Sequence, residues 1–137
     1  MILFRPVGLH ELRLIADADW SAFPPRLPGQ PIFYPVLDEA YAVQIARDWN
    51  VTDAASGYAG FVTRFDVDDA VAARYEVQVV GSSDHRELWV PAEELDAFNA
   101  AIDGRIRVTQ SFYGERFALA VDPARNLPQG IRYDRDA

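Results

Sequence analysis

The 137-residue chain contains neither cysteine nor lysine. Without thiols it has no disulfide, no thiolate metal site, no iron–sulfur cluster and no cysteine nucleophile. Without lysine it has no Schiff-base amine, and all thirteen basic residues are arginines. Every cationic side-chain contact is therefore made by a planar guanidinium, which can grip an anion through two parallel hydrogen bonds. This bias, together with many alanines, is what the codon usage of a GC-rich genome produces. Histidine is scarce too: His10 and His85 form no His-x-x-x-His pair, so the expectation is that no metal is bound. Neither a Walker loop nor a Gly-x-Gly-x-x-Gly phosphate loop is present. Nothing approaches the roughly 18 consecutive apolar residues of a membrane-spanning helix. The opening "MILFRPVG" lacks the charged start and apolar run of a secretory leader. The expectation is a cytoplasmic protein without a membrane partner.

Positive charge is also short. The net charge is −8 and is spread unevenly: residues 59–104 carry three arginines against ten acids, whereas residues 105–137 carry six against four. An acidic surface repels phosphate backbones, so no nucleic-acid partner is expected. What the chain does have is apolar material, with half its residues hydrophobic and 12% aromatic. A chain of this length buries roughly two thirds of its unfolded surface without any staple. One α+β domain over residues 1–122 is expected, followed by a poorly anchored tail over 123–137.

The element order follows from periodicity. "ILFRP" ends at a proline as a short strand would, and "GLHELRLIADA" sets Leu9, Leu12, Ile15 and Ala16 at helical spacing. "IFYPV" reads as a strand at an edge or end. Asp38 then caps a helix reaching about residue 49, whose stripe Tyr41–Ile45–Trp49 reads as core. Three strands follow, "AGFVTRFDV", "YEVQVV" and "RELWV", with a turn or two of helix at "DDAVAARY". Pro91 opens a further helix that Asp103-Gly104 ends, and "RIRVTQSFY" with "RFALAV" reads as a closing hairpin.

Several motifs carry less than they promise. "SSDH" places Ser, Asp and His side by side in a turn, where relay geometry is out of reach. "DVDDA" resembles the start of a calcium loop but lacks its glycine and closing glutamate, and helix capping explains it better. Five of the nine prolines fall within "FPPRLPGQPIFYP", residues 23–35. The arginine spacing fits a polyproline ligand only in part, and the flanking Phe23, Phe33 and Tyr34 favour burial, so an ordered loop strapped to the body is expected.

Three distant points stand out: Arg5 at the end of the first strand, Phe33-Tyr34 just ahead of a helix, and Glu87 leading "ELWVP". With Leu3-Phe4-Arg5 and "HRELWVP" the chain resembles the small bacterial proteins labelled ADP-ribosylation/crystallin, and its element order resembles the ADP-ribosyltransferase fold. In place of the family's Ser-Thr-Ser it has "IFYP", and His85 stands where the family has Gln or Glu. The resemblance implies NAD as substrate, with Glu87 as the catalytic carboxylate. It also implies Arg5 as a contact to diphosphate or ribose, and Phe33 or Tyr34 stacked on nicotinamide. Arg26, at the crest of the proline-rich stretch, becomes a second phosphate contact. Such a carboxylate would stabilise the positive charge that grows on the ribose as nicotinamide leaves. The plainer alternative pairs Arg5 with an acid, buries Tyr34 in the core and leaves Glu87 solvated. A rival reading of the whole chain is a non-enzymatic acidic interaction protein, immunity- or antitoxin-like, whose 59–104 segment meets a basic protein partner.

Overall fold

The first strand, β1 (Ile2–Val7), pairs antiparallel with β3 (Ala59–Val67), and β3 pairs antiparallel with the long β7 (Ile102–Tyr113). This computed structural model describes residues 1–133. On its other edge β1 touches a single residue: Phe4 and Val36 exchange both backbone bonds, at 2.9 and 2.8 Å. Val36 in turn bridges to Glu87, so the sheet passes through one residue to the hairpin of β4 (Val77–Val79) and β5 (Arg86–Leu88). Two shorter pairs complete the strands, β2 (Ile32–Phe33) with β6 (Val90–Pro91) and β8 (Val121–Asp122) with β9 (Leu127–Pro128). With helices α1 (Leu9–Asp17), α2 (Glu39–Asp48), α3 (Asp69–Ala72) and α4 (Leu95–Ala100), the architecture is mixed α+β, as expected.

Strand β3 is buried along nearly all its length because both faces are covered. Its Phe61 and Phe65 enter the main core with Leu3 and Val7 of β1, Leu12 and Ile15 of α1, and Phe98 of α4. Val62, on the opposite face, meets Ala42 and Ala46 of α2. Both ends of the proline-rich stretch are sewn into the main core. Phe23 and Phe33 are buried with ring centroids 5.1 Å apart, and Phe23 stands edge-on to Phe65 at 4.8 Å. The side chain of Asn99 bonds both the N–H and the C=O of Phe23, each at 3.0 Å. The loop is a strap, and its backbone ends cannot drift without breaking these contacts.

Helix α2 departs from the expected packing. The stripe Tyr41–Ile45–Trp49 is not core; the buried face is Ala42 and Ala46. The reason lies opposite, at Gly60: a methyl group there would come within 2.4 Å of the Ala46 carbonyl oxygen. Helix and strand approach so closely that only small side chains fit between them, and the bulky stripe is displaced to the flank. Asp38 sits at the N-cap position, but its side chain makes no capping bond. Its carboxylate is held by Arg86 instead, at 2.7 and 3.1 Å, and this bond in particular keeps its pKa below the usual carboxylate range. Asp68, by contrast, does cap α3.

Later segments also depart from expectation. Pro91 closes β6, and a 3₁₀ turn begins after it at Ala92–Glu94. Asp103-Gly104 lies inside β7, where Gly104 at φ +73° accompanies a register shift against β3. β7 does not form a hairpin with "RFALAV"; the strand there is two residues long and pairs with β9. The stretch read as a tail is packed as far as residue 133: Leu127 and Ile131 are buried, and the Trp20 indole donates to the Arg132 carbonyl at 2.6 Å. The rest of the expected tail, 134–137, lies outside the described residues. Among the described residues no helix is long and apolar enough to cross a membrane.

The contact at Gly60 is testable. Gly60→Ala should lower the unfolding free energy by about 2–3 kcal/mol through overpacking. Gly29→Ala, in open space at φ +83°, should cost only about 1–2 kcal/mol. Urea denaturation of both variants checks this, and equal small losses would mean that α2 does not seat this closely.

Candidate functional site

The sheet parts where proline enters β1. Phe4 faces Val36 with both backbone groups, and alternation turns Pro6 to the same edge, where its ring offers no N–H. The pairing stops, and a cleft of about 740 Å³ opens between β1, α1, α2, the strap and the β5–β6 segment. Its base is kept tight at Gly8, where a Cβ would come within 2.6 Å of Ser56 Cα. The start of α1 is therefore held against the 3₁₀ turn Ala54–Ser56.

Arg5 occupies the fork. It is 9% exposed, and Nε and Nη2 donate to the two carboxylate oxygens of Glu11 at 2.7 and 2.9 Å. Its guanidinium carbon lies 4.7 Å from the centroid of the Phe33 ring. Nη1 reaches the Tyr34 carbonyl at 3.4 Å, and donors remain free on Nη1 and Nη2. Phe33 is 1% exposed and belongs to the core beneath Arg5. The expectation that Phe33 stacks on a ligand is therefore corrected: β2 turns its ring inward, and Tyr34, the next residue, faces outward at 39% exposure.

Glu87 lies on the other side of the opening. Only 8% exposed, it accepts from Tyr41 Oη at 2.9 Å on one carboxylate oxygen and from Trp89 Nε1 at 2.8 Å on the other. One donor on each oxygen fixes the plane of the carboxylate and leaves further lone pairs for the hydroxyls of a ligand. Tyr41 is itself stacked: the His85 ring lies on it at 4.2 Å with planes 10° apart, and His85 Nε2 lies 3.3 Å from Gln44 Oε1. His85 thus braces Tyr41, the residue that aligns Glu87. Tyr34 and Trp89 stand edge to face at 6.4 Å beside it.

Arg26 completes the electrostatics. From the strap its Nε donates to the Ile32 carbonyl at 3.0 Å, and it forms no ion pair among the described residues. Burial, and then the neighbouring charge of Arg5, lower its pKa, although a guanidinium stays charged at any physiological pH. Two guanidiniums thus lie beside one carboxylate, Glu11, at this end, while Glu87 and Asp53 stand elsewhere on the same lining.

Of the residues singled out from sequence, Arg5, Arg26, Tyr34 and Glu87 all line this cleft, and Phe33 does not. Neither Tyr34 in the core nor Glu87 in solvent, as the plainer alternative has them, is found; Arg5 does pair with an acid. Sequence reasoning missed Glu11, Tyr41, Trp49 and Trp89. The available signal was the aromatic stripe of α2, set beside an equally regular stripe of alanines. Compared with known proteins, the chain matches no family model, no curated protein and no solved structure.

The Tyr41 hydroxyl is pushed up to about 12, first by burial and then by its bond to Glu87 and that carboxylate's charge. A free tyrosine ionises near ~10, so this stabilisation is whole below about pH 10 and is lost as pH rises through the folded value. In an ultraviolet titration, Tyr41→Phe should remove one tyrosine ionising near 12 and flatten the alkaline loss of stability. Tyr75, raised to about 12 by burial and by Glu94, stays as the internal reference. If the tyrosine lost in the variant is instead one that ionises near the ordinary value, the Tyr41–Glu87 bond does not form in solution.

Proposed function

We propose that the cleft binds NAD or a related ADP-ribose-bearing nucleotide, and that the protein is an enzyme of the ADP-ribosyltransferase type. The observation that carries this is a buried carboxylate, Glu87, held by two fixed donors on the same cleft as Arg26, a cation without an ion-pair partner among the described residues. Arg26 and the free donors of Arg5 suit a diphosphate. Tyr34 and Trp89 supply exposed ring faces for a planar base at the Glu87 end.

In the reaction, the bond between ribose C1′ and the nicotinamide nitrogen breaks, and its electron pair leaves with nicotinamide. The carbon carries positive charge until a hydroxyl of water or of an acceptor bonds to it and releases its proton. Glu87 stabilises that charge across a site where it has already been oriented, so no reorganisation is needed when the charge develops. Its spare lone pairs accept from the ribose hydroxyls and hold the sugar in place.

The rival, an acidic interaction protein, draws on the acidic 59–104 segment, but surface charge of one sign also serves solubility. It gives no role to the carboxylate that Tyr41 and Trp89 align. Calorimetry with NAD and ADP-ribose, with nicotinamide release measured alongside, tests the proposal. Wild type should bind both and release nicotinamide. Glu87→Gln should bind within about threefold and turn over about 10²–10³-fold more slowly. Binding without release would leave a nucleotide sensor in place of a transferase, and failure of both ligands to bind at millimolar concentration would overturn the proposal.

A further inference from the structure

Helix α2 runs beside the cleft with an aromatic ring near each end. Tyr41, Ile45 and Trp49 recur at every fourth residue and so share one helix face. Tyr41 carries its hydroxyl to Glu87, while Ile45 and Trp49 line the cleft. Eight residues at a helical rise of 1.5 Å separate Tyr41 from Trp49 by about 12 Å along the helix axis. Trp49 is 62% exposed, more than Trp89 at 44%. An indole left this open in a concave wall is unusual, because its apolar face gains nothing from water.

Most polar groups near Trp49 bond one another, and the half-buried Asp53 carboxylate stays on the cleft wall. Asn50 Nδ2 donates to Ser56 Oγ at 2.9 Å, and Ser56 Oγ donates to Asp53 Oδ2 at 2.7 Å. Asn50 Oδ1 is buried without a partner among the described residues and is shut off from solvent. What this end offers is the exposed indole of Trp49, which suits stacking by a planar ring.

Resting on the nucleotide reading above, we infer that the cleft has two ring-binding ends, and that Trp49 is the second. One ring seats by Tyr34 and Trp89 next to Glu87, where the bond is cleaved; the other stacks on Trp49; Arg5 and Arg26 meet the charged linker. The ligand class is therefore a dinucleotide, with two planar rings on one anionic linker, and mononucleotides engage only half the cleft.

Fluorescence or calorimetric titration of wild type, Trp49→Ala and Trp49→Phe with NAD, ADP-ribose, AMP and nicotinamide mononucleotide tests this. Trp49 is exposed, so the variants should keep their fold, with unchanged thermal midpoints as the check. Trp49→Ala should weaken NAD, ADP-ribose and AMP about tenfold and leave nicotinamide mononucleotide unchanged. Trp49→Phe should restore most of the loss. If wild type binds NAD and Trp49→Ala binds it equally well, or loses nicotinamide mononucleotide to the same degree, the second ring site is wrong while the nucleotide reading stands. If wild type binds none of the four, both fall together.

Discussion

The bond pair between Phe4 and Val36, and its failure to extend past Pro6, organises the rest of the molecule. Had β1 continued to pair along that edge, the sheet would have closed and the Arg5 fork would have no room. A proline ends the pairing without cost, because the edge it faces loses no donor: there is none to leave unsatisfied. The chain then turns at once through Gly8 into α1, which brings Glu11 back over β1 to meet Arg5. On the other side of the parting, the single bridge from Val36 to Glu87 keeps the β4–β5 hairpin in the sheet. The distance between the two charged centres is thus set by backbone pairing, not by flexible side chains.

Those charges ask for a reason. Replacing a buried ion pair with well-packed apolar residues is often neutral or stabilising, so Arg5 and Glu11 are poorly explained by stability alone. Arg26 is harder still to explain, since the strap carries it close to a second guanidinium that disfavours its charge. Glu87, on the same cleft, is held differently, each of its two oxygens accepting one hydrogen bond.

Three elements were legible because each follows a single, uncontested period. β1, α1 and β3 fall where alternation and helical spacing put them. The failures come where two patterns compete or where a long-range contact decides. In α2 the stripes of Ala42–Ala46 and of Tyr41–Ile45–Trp49 are equally regular, and only Gly60, fourteen residues past Ala46, determines which can approach the sheet. "RFALAV" has strand composition, but only its last residue enters a strand, the two-residue β8, which pairs forward with β9. The residues beyond 122 look polar, yet Trp20 and Tyr133, with rings 4.8 Å apart, tie them down across more than a hundred positions. Among the charged groups of the site Arg5, Arg26 and Glu87 were singled out from sequence, whereas Glu11 and the groups that orient Glu87 were not. Tyr41 matters through its bond to Glu87, and a hydrogen bond between residues 46 positions apart leaves no local mark.

The proline-rich strap joins these threads. A connection of this length would ordinarily lose considerable backbone entropy on ordering, and five prolines reduce what there is to lose. Phe23 and Phe33, sunk in the core, fix its two ends, and Asn99 grips the first of them through both backbone groups. Between these anchors Gln30 closes the turn: its side chain accepts from the Leu27 N–H at 3.1 Å, and its own N–H donates to the Leu27 carbonyl at 3.0 Å. Arg26 is thereby held over the cleft by the folding of the protein itself, before any ligand arrives. A cation ordered in advance spares a ligand the entropy of gathering it, which is how a preformed site gains affinity that a floppy loop with the same arginine would lack.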